Sequence, residues 1–172
     1  MHDIIIKNNL NYDSPLAIGT QTWFNGRLRF LVAGNYGNNS GVNDTIYALP
    51  ENFGALSELR SLYLEWNRIS VLPPSFSDLS NLLSLYINNN ILENLMDDIG
   101  NLTNLYFLDL GYNAISSNEA MAIIFSEAAK ENFSALSFSF GSGMTNVALA
   151  YNGVIKNKTI LKKCTITTIF KI

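Results

Sequence analysis

"LRSLYLEWNRI" occupies Leu59–Ile69, "LLSLYINNNIL" occupies Leu82–Leu92, and "LYFLDLGYNAI" occupies Leu105–Ile115. Each begins 23 residues after the last, and each carries one asparagine at the same place: Asn67, Asn90, Asn113. An internal period of this kind decides the architecture before any local propensity does. Further columns agree at the same spacing, among them Leu49, Leu72 and Leu95; Phe53, Phe76 and Ile99; Leu56, Leu79 and Leu102. Within each block the core "SLYLE", "SLYIN" or "FLDLG" alternates apolar and polar at the strand period of two. Identical blocks predict parallel strands, each burying its leucines against the next turn. The asparagine falls where the chain must leave the strand and bend. A buried bend has backbone N–H and C=O groups without ladder partners, and an inward amide offers two donors and an acceptor to satisfy them. Asn67, Asn90 and Asn113 therefore read as a structural column and not as an active site.

The stretch "LRSLYLEWNRISVLPPSFSDL" resembles the leucine-rich repeat, L-x-x-L-x-L-x-x-N-x-I-x-x-L-P-x-x-F-x-x-L, of the 23-residue bacterial and plant-like type. The following blocks match nearly as well, with Met96 in place of the proline at Pro50 and Pro73. The resemblance implies an α/β solenoid, a short horseshoe with a parallel concave β-sheet, short 3-10 or α segments on the convex side, and capped ends. It also implies a non-enzymatic module that holds a protein partner on its concave face.

The frame extends outward. Leu28, Leu31 and Ala33 fit an earlier strand, followed by a Gly/Asn-rich loop, "GNYGNNSGVND", longer than the repeat requires. Downstream, Phe133, Leu136 and Phe138 fit the same slots, and Leu161, Cys164 and Ile166 fit them again. Six parallel strands are predicted, with Cys164 as a core thiol. "SNEAMAIIFSEAAK" reads as a convex helix, capped by Ser117 or Asn118. A solenoid needs covered ends. "TWFNGRLRF" has Asn-Gly between strand-like residues, a hairpin signal. Thr22–Phe24 is expected to pair antiparallel with the first repeat strand, and Trp23 to cover the open core. "CTITTIF" is expected to close the far end. The whole is one domain, 1–172: an N-terminal cap over 1–27, repeats over 28–117 (clearest over 49–117), then degenerate repeats and a C-terminal cap over 118–172.

Composition narrows the function. The chain has 172 residues, is 48% hydrophobic and 15% charged, and carries a net charge of −3, so it holds a core but no basic nucleic-acid footprint. One cysteine excludes an intramolecular disulfide and a Cys-rich metal site. The run Ile4–Ile6 is too short for a signal-peptide core, and no stretch suits membrane insertion, so the chain is expected in the cytoplasm or carried on a larger assembly. The sole histidine, His2, sits at a terminus read as frayed, which removes Ser-His-Asp and Cys-His catalysis. Asp97–Asp98 reads as a solvated turn, and "GSGMTN" lacks the Lys-Ser/Thr of a phosphate loop. No enzyme, no cofactor and no metal are expected.

What remains is surface. Residues between the leucines point onto the concave sheet, where Tyr63, Trp66, Tyr86, Phe107, Tyr112 and Phe140 converge around Glu65, Asn88 and Asp109. Rigid amphipathic rings beside short polar groups make a binding composition. The same rings packing against each other across strands would have a purely stabilising role. A protein partner is the first expectation. Alternatives are a decoration or adhesion subunit on a virion or bacterial surface, and a glycan ligand.

Overall fold

The computed structural model describes residues 1–115, 135–138 and 147–150. The first element is a helix, α1 (His2–Asn8), with Asp3 in its first turn, Lys7 in its last, and Asn9 in the left-handed conformation as C-cap. The hairpin follows: β1 (Thr20–Phe24) pairs antiparallel with β2 (Arg27–Val32). Asn25 and Gly26 both take positive φ, 49° and 72°, which only a primed turn requires and which these two residue types tolerate best. Strands β3 (Ser61–Tyr63), β4 (Ser84–Tyr86), β5 (Phe107–Leu110) and β6 (Ala135–Phe138) each pair parallel with the strand before. The register keeps the columns: Leu31, Leu62, Leu85, Leu108 and Leu136 are successive partners.

On the convex side, 3-10 helices Phe53–Ala55, Pro74–Asp78 and Asp97–Asn101 return the chain to the next strand. Phe53 and Phe76 stack there with centroids 5.8 Å apart. The leucines of β2–β5 and the two phenylalanines are buried in one continuous core.

Two expectations need correction. A sixth parallel strand at Leu161–Ile166 was to follow β6; instead β7 (Val147–Ala150) pairs antiparallel with β6 and takes that edge. Only eight residues separate the two strands, too few for a parallel crossover and enough for a hairpin. "GSGMTN" falls within this connection. Trp23 does not cover the core. It is 41% exposed, because β1 extends the sheet sideways and leaves the end of the apolar stack to other residues. Ile4 of α1, Leu10 and Ile18 fill that place, all buried, so the N-terminal segment is built in and not frayed. The expected convex helix at 117–130, Phe133, Phe140, Cys164 and the strand "CTITTIF" lie outside the described residues.

Candidate functional site on the concave face

Strand alternation turns Tyr63, Tyr86, Phe107 and Asp109 outward while Leu62, Leu85 and Leu108 go in. The rings meet across strands, Tyr63 directly opposite Tyr86 and the other pairs diagonally. Phe30 lies 5.4 Å from Tyr63, Tyr63 stacks on Tyr86 at 4.4 Å and 11°, and Tyr86 lies 4.5 Å from Phe107. Such pairs stabilise a sheet by about 0.2–1 kcal/mol each. The rings thus pack against each other across strands and brace the sheet. Burial, and then the neighbouring Tyr63, raise the pKa of the Tyr86 phenol.

Glu65 differs from the solvent-facing acid the spacing suggests. Only 9% of it is exposed, because the long Gly/Asn-rich loop folds over it. Tyr36, from that loop, donates its hydroxyl to Oε2 of Glu65. Gly34 and Gly41 make the close approach possible. A Cβ on Gly34 would meet the Tyr36 ring at 2.4 Å, and one on Gly41 would meet the Gly34 carbonyl oxygen at 1.8 Å. Sequence reasoning missed Tyr36. The only signal was a lone aromatic set among glycines in an overlong loop.

Burial raises the carboxyl pKa of Glu65, the Tyr36 hydrogen bond opposes this, and the charge of Asp109 adds to the rise. Burial, with the Glu65 carboxylate beside it, pushes the Tyr36 phenol far above its ordinary value. The folded state thus holds the Glu65 proton more tightly than the unfolded chain does. Its contribution lowers stability as pH rises from the ordinary glutamate range through the raised one. Glu65→Gln keeps an acceptor for Tyr36 and removes the titration. Urea melts between about pH 4 and 7 should show a shallower fall in stability for this variant; an unchanged slope would assign the pH dependence to other groups.

At the strand exits, Trp66, Asn89 and Tyr112 occupy equivalent positions, and all three are left-handed, with φ of 58°, 55° and 54°. Asparagine tolerates this conformation; for most L-residues it costs about 1–2 kcal/mol. Trp66 is 58% exposed and Tyr112 42%. Asn88 is half-buried beside them. Asp109 accepts from the backbone N–H of Gly111 at 2.9 Å.

Beneath this face runs the amide ladder. Asn67 Oδ1 accepts from Ile46 N, Asn90 Oδ1 from Ile69 N, and Asn113 Oδ1 from Leu92 N. The Nδ2 groups donate to strand-end carbonyls of their own turn and the turn before: Ala33 and Leu64, Leu64 and Ile87, Ile87 and Leu110. Among the described residues no group of three metal-ligating side chains occurs, and no helix is long and apolar enough to cross a membrane.

Parallel strands of one period over a shared amide ladder define a solenoid of stacked repeats. A family model, "Leucine rich repeat", matches residues 57–115. Among solved structures, an LRR protein of Leptospira interrogans is 25% identical with a TM-score of 0.54, over 78% of this chain and 32% of its own. The chain thus spans about a third of that protein's length. No curated protein matches. Residues 57–115 are thus leucine-rich repeats within a solenoid of that fold, and the family suggests a protein-interaction module.

Proposed function

We propose that the chain is a non-enzymatic recognition module that holds a protein partner on its concave face, with Trp66 and Tyr112 as rim anchors beside the Tyr63–Tyr86–Phe107 ladder. One observation carries this reading. Bulky rings stand, exposed, in a left-handed position where the middle repeat has the residue that fits it, Asn89. Local rules are broken in this way where function compensates. A protein surface suits the face better than a sugar does, because Tyr63 and Tyr86 stack on each other and leave less ring face free for carbohydrate.

Trp66→Asn separates fold from function. Relief of the left-handed strain should raise stability by about 1 kcal/mol. Loss of an aromatic anchor should weaken partner binding roughly tenfold or more. The measurement is a urea melt together with titration of a partner captured from the source cells, with Asp98→Asn on the convex side as control. A variant that is more stable and still binds as wild type would remove Trp66 from the interface. Should the convex variant be the one that fails, the working surface lies outside the concave face.

A further inference from the structure

We propose that the partner presents a basic segment, with one lysine or arginine side chain seated between Glu65 and Asp109; this rests on the concave-face reading. Charge complementarity carries the step. The ion pairs among the described residues are His2–Asp3, Lys7–Glu51 and Arg29–Glu58. None includes Glu65 or Asp109, and no lysine or arginine occupies the outward positions of β2–β5 around them. Arg29, within β2, is held by Glu58, and Arg60 and Arg68, before and after β3, form no ion pair with either acid.

A buried carboxylate ordinarily has a cationic partner or gives up its charge. Glu65 instead has a neutral phenol on one side and a second acid within electrostatic reach. An incoming cation would relieve both the burial and the repulsion, so the unpaired site lowers the stability of the free protein and favours the complex. Strands β3 and β5 are two strand spacings apart, about 10 Å, and Asn88 stands between them with a carbonyl acceptor. The exposed indole of Trp66, next to Glu65, offers a surface for the aliphatic stem and a face for the charge.

The test titrates the isotope-labelled full chain with three synthetic peptides of alternating glycine and arginine, glycine and citrulline, or glycine and glutamate. Citrulline keeps the shape of arginine without its charge. The arginine peptide should shift the Trp66 indole and the Glu65 and Asp109 amides, and the shifts should fade with added salt. Its affinity should fall roughly tenfold in Glu65→Gln/Asp109→Asn, whose amides still accept from Tyr36 and Gly111. Equal binding of the citrulline peptide, no shifts at millimolar arginine peptide, or an unaffected double variant would overturn the proposal. If the double variant fails to fold, the citrulline comparison and the salt titration decide on the wild-type chain. A captured partner lost by Trp66→Asn but not by the double variant keeps the concave-face reading and overturns the basic segment alone.

Discussion

Removal of residues 1–18 should leave a chain that no longer unfolds cooperatively. These residues contribute Ile4, Leu10 and Ile18, buried to 1%, 5% and 0% exposure at the open end of the leucine stack. Full burial of such side chains stabilises by about 1.5–3 kcal/mol each, so together they reach about 6 kcal/mol, comparable with the whole stability of an ordinary domain. Polar ties add to this. Asn8 accepts from the backbone N–H groups of Tyr47 and Ala48 and donates to the Ala48 carbonyl at 2.8 Å. The Tyr12 hydroxyl accepts from Asn43 N. Deletion strands these groups and opens an apolar face to neighbouring molecules. Size-exclusion chromatography should show aggregation, and calorimetry a broad, weak transition. Trp23→Ala, on the exposed β1, should cost under about 1 kcal/mol. A truncated chain that stays monomeric and melts near the full-length temperature would make α1 an appendage, and the core would then be closed by something other than Ile4 and Ile18.

The contrast between α1 and Trp23 marks where the sequence was legible. A period copies each constraint several times, so the leucine columns, the asparagine positions and the register of β2 through β6 could be read directly. The Asn25-Gly26 turn was equally clear, because few residue pairs take two positive φ angles. The end of the stack has no copy to compare with. Three consecutive isoleucines give neither a helical nor a strand period, and nothing local says that Ile4 is buried while Ile6 is 65% exposed. Tyr36 was hidden for a similar reason: its contact with Glu65 joins a loop to a strand end 29 residues away, and neither partner repeats. The left-handed column was half visible, since Asn89 hints at it and Trp66 and Tyr112 conceal it. β7 was missed because the repeat frame was carried past the point where the chain reverses.

Asn90→Ala should be among the costliest single changes within the repeats, and the hydrogen-bond ladder says which group suffers. The carbonyls that Asn90 serves are shared: Leu64 O also accepts from Asn67, and Ile87 O also accepts from Asn113. They keep a partner when Asn90 goes. The N–H of Ile69 does not, because its bond is to Asn90 Oδ1, 2.9 Å away, and Ile69 is fully buried. An unsatisfied buried donor costs about 1–3 kcal/mol, and the space left by the amide adds to it, so the expected loss is about 3 kcal/mol. Asn90→Asp tests the donor half of the same amide. It retains an acceptor for Ile69 but sets a carboxylate oxygen against the Leu64 and Ile87 carbonyls, so it should be at least as damaging at neutral pH. Asn89, one residue earlier, makes the control. Its side chain is half-exposed and its φ is 55°, so Asn89→Ala should cost only the left-handed penalty of about 1 kcal/mol, and Asn89→Gly almost nothing. Urea melts of the four variants should therefore place Asn90→Asp and Asn90→Ala lowest, Asn89→Ala next, and Asn89→Gly beside wild type. Equal losses at positions 89 and 90 would mean that the bend is held by backbone geometry alone, and that the asparagine column is not what closes each turn onto the next.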